Sequence, residues 1–175
     1  MTVKCTPKKK NKKHIYVSAL FSIGFLASIA MITLDIGNKL SVQIITVAFV
    51  ASLIWCLMKF HLTERSYTLT DHYGPMMLLI TQTQGKRTSS AFELKISEIK
   101  DIGYVTRESR DVRIPSGMTY DFRVTLGAEE YQYIVAKILD KRYVIKIEAD
   151  EGFQSALQAA YKVHLESVLE GDEEE

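Results

Sequence analysis

The chain has 175 residues, enough for one domain with accessories, and its net charge of +1 supplies no global field toward nucleic acid or acidic substrates. Its two cysteines, Cys5 and Cys56, form neither a disulfide framework nor, by themselves, a zinc site, and this sparing use fits a reducing compartment. The charge is nonetheless segregated, with Lys4, Lys8, Lys9, Lys10, Lys12 and Lys13 near the start and Glu170, Asp172, Glu173, Glu174 and Glu175 at the end.

Residues 1–14 read as a basic tail. Ile15 to Leu34 then carries no charged side chain, and at ~1.5 Å per residue a helix of that length covers about 30 Å, the thickness of a bilayer's hydrocarbon core. Residues 35–39 read as a short turn with Gly37 and Asn38, and 40–58 as a second uncharged span. Tyr16 and Trp55 fall near the span ends, where amphipathic rings sit at headgroup level. Small residues recur at four-residue spacing (Ser18 with Ser22, Gly24 with Ser28, Ala48 with Ser52), which lets helices approach closely.

Lysines precede the first span, Lys59 and Arg65 follow the second, and Lys39 in the turn is offset by Asp35. This bias predicts that both ends are cytoplasmic, with the chain a multi-pass protein of the bacterial inner membrane. An alternative stays open: Ser28-Ile29-Ala30 resembles a cleavage site, so the first run could be a signal peptide ahead of an exported domain.

After a linker at 59–65, residues 66–170 form a domain of short alternating runs. Predicted strands are Tyr67 to Thr70, Met76 to Thr83, Ser89 to Leu94, Asp101 to Arg107, Thr119 to Leu126, Tyr131 to Leu139 and Arg142 to Glu148. In the last, Tyr143, Ile145 and Ile147 share one face and Val144, Lys146 and Glu148 the other. The period then lengthens. Asp150 can cap a helix starting at Glu151, in which Phe153, Leu157, Ala160, Tyr161, His164, Leu165 and Val168 recur at three and four. Gly171 should end it, and 171–175 should be a disordered acidic tail.

Two stretches carry a resemblance: Tyr67-x-Leu69-Thr70-Asp71, and Leu94-x-Ile96-Ser97-Glu98-Ile99-Lys100-Asp101-Ile102. With the strand count, Leu40 to about Leu169 resembles the bacterial pleckstrin-homology-like membrane family, in which such a domain often follows a two-span hairpin. Pro75 departs from the pattern where the second strand should begin. The resemblance implies an α+β protein: a transmembrane hairpin plus a seven-stranded barrel, four strands packed on three, closed by a C-terminal helix. It implies an interaction or scaffold module and brings no catalytic residue with it.

The residues themselves suggest no chemistry. His14, His61, His72 and His164 show no metal-ligand spacing, and neither a nucleophile motif nor a phosphate-cradling glycine loop is present. No enzyme activity, cofactor or small-molecule substrate is expected. No aromatic interleaves Lys8 to Lys13, so nucleic acid is not an expected partner.

In a meander, turns alternate between the two ends of the sheet. The end away from the membrane would carry Asp71, Glu98, Asp101 and Asp140 against Lys100 and Lys141, a poor phosphoinositide grip. The end near the membrane would carry Lys86, Arg87, Arg107, Arg110 and Arg113, candidate contacts to lipid headgroups, partly cancelled by Glu108, Asp111, Glu129 and Glu130. The expected partners are thus the bilayer and either another protein or a second copy. Two roles remain: a tethered interaction module, or an assembly factor whose spans pack against other membrane helices.

Overall fold

The computed structural model describes residues 2–8, 12–72, 74–108 and 114–172. They form two compact units, one of residues 9–64 with 125–127, the other of 1–8, 65–124 and 128–175.

The first unit is a helical hairpin. Helix α1 spans Lys13–Thr33 and α2 spans Lys39–Cys56, continued by a π-helical turn, Leu57–His61. Asn38 caps α2, its side chain accepting from the Leu40 and Ser41 amides at 3.0 and 3.5 Å. The chain reverses through Asp35 and Gly37, both at positive φ. Small residues on α1 let the helices meet: Ser18 and Ser28 are buried, and a Cβ at Gly24 would lie 2.5 Å from the Phe49 ring. The predicted small pair on α2 behaves differently, since Ala48 is exposed. Both helices are long and apolar enough to cross a membrane, and only 11% of each apolar stretch is buried. Core helices of soluble proteins bury most of such a stretch, whereas these turn Leu20, Ile23, Leu26 and Val47 outward.

The second unit contains two four-stranded sheets and a helix. In the first sheet, β1 (Thr2–Cys5), β2 (Thr63–Thr70), β3 (Met77–Gln84) and β4 (Arg87–Lys95) lie in that order. A 3-10 turn at Ile96–Glu98 leads to the second sheet. There β5 (Ile99–Val105), β6 (Met118–Asp121), β7 (Tyr131–Ile138) and β8 (Lys141–Ile147) lie in the order β5-β7-β8-β6. Helix α3 covers Glu151–Asp172. The β7–β8 turn places Leu139 and Asp140 at positive φ, as a two-residue hairpin of matching twist requires.

Both sheets and α3 contribute to one core: Tyr67, Leu69, Leu78, Ile80, Leu94, Ile134, Ile145, Ile147, Phe153 and Leu157 are nearly inaccessible. Alternation along β8 sends Val144 to the opposite face, against Val105, Tyr133 and Val135. Asp150 caps α3 as its sequence predicts, its carboxylate accepting from the Phe153 amide at 2.8 Å.

Several expectations need correction. The sheets do not close into a barrel, and eight strands are present among the described residues where seven were expected. The extra strand is β1, taken as part of the basic tail. Its Thr2 to Cys5 pair with Thr70 to Tyr67 and bury Cys5 in the core, which supplies β2 with a partner for its backbone groups. The domain also begins earlier, β2 starting at Thr63, inside the predicted linker. The fifth predicted strand is cut to Met118–Asp121 and runs parallel to β8 on its outer edge, not in a meander. Beyond Asp121 one backbone bond, from the Phe122 amide to the Lys146 carbonyl at 2.9 Å, extends the pairing; after it side chains hold the chain, with Asp121 clasping Arg123 and the Val124 amide donating to the Glu148 carboxylate at 2.7 Å. Gly171 does not end α3, which continues through Asp172; a glycine costs a helix only about 1 kcal/mol and does not by itself stop it. Pro75 precedes β3, which begins at Met77.

Candidate functional site

Helix α3 is longer than the core it covers. Its first half plants Phe153 and Leu157 in the core, with Ala156, Ala160 and Tyr161 packed against it. Its second half leaves Val163, Leu165, Val168 and Leu169 exposed. Between the stretch of α3 from Ala156 to Ser167 and the neighbouring turns lies a groove of about 360 Å³. One wall is helical, with Ala156, Ala159, Ala160, Val163, His164 and Ser167 recurring at three and four residues. The facing wall is Leu69 at the end of β2, Pro75 and Met76 ahead of β3, and Ile96 and Ser97 of the 3-10 turn.

Local sequence explains this shape. Pro75 has no amide to give a ladder, and β3 begins only at Met77. The Ile96 amide donates to the Met76 carbonyl at 3.0 Å, tying the two turns together. Alanines at 156, 159 and 160 keep the helix side shallow. The lining is apolar except for Ser97, His164 and Ser167, so the groove can seat aliphatic groups and offers little to polarise a reacting bond.

A second, polar cleft of about 340 Å³ is lined by Tyr104, Glu151, Gln154, Ser155 and Gln158. Beside Tyr104 lies Gln132, fully buried, whose amide nitrogen reaches the Tyr104 hydroxyl at 3.1 Å.

The buried charges lie together around the segment after β6. Arg65 donates to the Arg123 carbonyl at 2.7 Å. Arg123 holds Asp121 in a two-point contact at 2.9 and 2.8 Å and stacks 4.5 Å from the Tyr131 ring centre. Burial lowers the Arg65 pKa from its ordinary value, whereas the Asp121 hydrogen bonds raise that of Arg123. These contacts are internal and anchor the chain.

Three of the five predicted lipid-contact residues lie among the described residues. Lys86 lies in the tight β3–β4 turn, Arg87 begins β4, and Arg107 pairs with Glu129 at 2.9 Å. Arg110 and Arg113 lie outside the described residues. Among the histidines, His14 and His61 meet edge to face with ring centres 4.9 Å apart, and the His61 ring lies 3.2 Å from the Ser18 hydroxyl. That hydroxyl also lies 2.7 Å from the His14 carbonyl, to which it donates. Among the described residues no group of three histidines, cysteines or carboxylates could hold a metal ion.

Sequence reasoning missed the groove. It treated His164 as a core residue and Pro75 as an irregularity. The surplus of apolar residues at the end of α3, beyond what the core could cover, was the available signal.

No family model matches the chain, and neither a curated protein nor a solved structure is significantly similar to it.

Proposed function

We propose that this protein is a membrane-anchored, non-catalytic interaction module of pleckstrin-homology-like type, its hairpin in the bacterial inner membrane and its domain at the cytoplasmic face. The observation that carries the docking role is the uncovered apolar groove along α3. The anchoring rests on two adjacent helices that turn apolar side chains outward.

Chain order supports the orientation. The hairpin is inserted between β1 and β2, which are neighbours in one sheet. An even number of crossings returns the chain to the side it left, and the lysines before α1 favour the cytoplasmic side. Cleavage after Ala30 would remove β1 from that sheet, which disfavours the signal-peptide reading.

The test places a photo-crosslinking amino acid at Ala159 in the full-length protein within its own membrane. A discrete protein adduct that Val163→Trp abolishes supports the reading. Adducts formed only from the outward faces of α1 and α2 favour the assembly-factor role instead. Loss of the domain to protease added outside intact cells removes the proposed orientation.

A further inference from the structure

We infer that the open end of the hairpin, where α1 begins and α2 leaves, carries a site for the headgroup of an anionic phospholipid, built from Lys59 and Trp55 with Lys12 at the same end. This is the cytoplasmic end in the orientation proposed above. The inference rests on that membrane reading and goes beyond it, since anchoring alone needs no particular lipid.

The π-helical turn Leu57–His61 sets Lys59 against aromatic rings, its ammonium 5.4 Å from the ring centres of both Trp55 and Phe60. The two rings meet nearly at right angles with centres 5.8 Å apart; Phe60 is buried and Trp55 is 55% exposed. The rings restrain the flexible lysine stem without neutralising its charge. Among the described residues Lys59 has no carboxylate partner, and the Trp55 indole N–H has no hydrogen-bond acceptor. A neighbouring ammonium and N–H donor suit an acceptor that has several oxygens and a negative charge, and a phosphodiester is both.

The His14 and His61 rings, in contact, bring the first turn of α1 to the same end, where Lys12 and Tyr16 are exposed. Neither that first turn nor the π-helical turn holds an acid. Within residues 9–64 the acids are Asp35 and Glu64. Asp35 lies at the opposite end of the hairpin, paired with Lys39 at 3.1 Å, and Glu64 lies in β2, after the chain has left the helical turn. Charge is thus matched at the closed end and left cationic at the open one.

The adjoining surface selects a lipid. Ile54, Leu57, Met58 and Leu62, next to Trp55 and Lys59 in sequence, are exposed. A lipid held by its phosphate lays its acyl chains along such a surface, whereas a soluble acidic segment would leave it facing water. Net headgroup charge then discriminates among lipids: a choline or ethanolamine cation would stand beside Lys12 and Lys59, and a glycerol headgroup brings no such cation.

Trp55 is the single tryptophan of the chain, so its fluorescence reports the lipid beside it. The full-length protein is reconstituted in phosphatidylcholine vesicles containing graded fractions of brominated phosphatidylglycerol or brominated phosphatidylcholine, the bromine quenching on contact. The phosphatidylglycerol should reach half-quenching at a mole fraction roughly fivefold lower. Lys12→Gln/Lys59→Gln should remove that difference, and unchanged quenching by brominated phosphatidylcholine verifies that Trp55 keeps its depth in this variant. Equal quenching by the two lipids in the parent protein would overturn the inference, as would a difference that survives in Lys12→Gln/Lys59→Gln. Quenching by neither lipid would put Trp55 outside the bilayer and overturn the membrane reading as well.

Discussion

Tyr67 donates its hydroxyl proton to the Phe122 carbonyl at 2.9 Å and accepts the Glu148 amide at 3.3 Å. It thereby fastens the segment after β6 to the centre of the first sheet. Tyr67→Phe strands both backbone groups in the interior and should cost about 1–3 kcal/mol, read by thermal or denaturant unfolding in detergent.

The same hydroxyl predicts alkaline sensitivity. Burial is the main cause that pushes the Tyr67 pKa up, so the folded state holds a proton that the unfolded chain releases near pH ~10. The resulting stabilisation is complete below that pH and declines as pH rises through it. Unfolding midpoints measured from pH 8 to about 11 should fall more steeply for the parent protein than for Tyr67→Phe. Parallel curves would contradict this assignment.

Arg123→Lys should destabilise by about 1–2 kcal/mol although charge is conserved. An ammonium cannot make the two-point contact with Asp121 or stack flat on Tyr131. Asp121→Asn should cost a similar amount, and the double variant less than the sum of the two, as a double-mutant cycle would show.

Gly24→Leu should disrupt the hairpin, because its side chain would enter the space of the Phe49 ring. Disulfide trapping between cysteines placed along α1 and α2 should become inefficient. Phe49→Ala should restore trapping in Gly24→Leu; failure to restore it would show that the two residues do not share that contact.

Gln132 is fully buried, and its carbonyl oxygen finds no hydrogen-bond partner among the described residues. Gln132→Leu removes a desolvated dipole at nearly constant volume. It should leave stability unchanged or raise it by up to about 1 kcal/mol, with Tyr104 free to turn its hydroxyl to solvent. A loss above that range in thermal unfolding would assign the amide a stabilising role.

Much of this architecture could be read from the chain itself, because local patterns determined it. Two uncharged runs gave the hairpin. Alternation at Tyr143, Ile145 and Ile147 gave β8, and Asp150 marked the start of α3. What escaped depended on partners distant in sequence. Thr2 to Cys5 show too little alternation, beside so many lysines, to announce a strand, and only the open edge of β2 makes them one. Tyr120, Phe122 and Val124 do alternate, yet the strand stops at Asp121: the Phe122 amide still donates to the Lys146 carbonyl, and past it Asp121 clasps Arg123 and the Val124 amide turns to the Glu148 carboxylate. The groove was least legible, since it arises from a mismatch in length between α3 and the core beneath it.

The insertion of the hairpin between β1 and β2 bears on how the molecule is born. During synthesis β1 leaves the ribosome first, yet its neighbour emerges only after both greasy helices have been made. The finished sheet therefore reports that the intervening segment has been delivered to a place where both its ends can meet. With the hairpin anchored in a membrane as proposed, a chain whose second helix failed to insert would be left with a dangling strand and an unguarded edge on β2, a defect open to quality-control proteases.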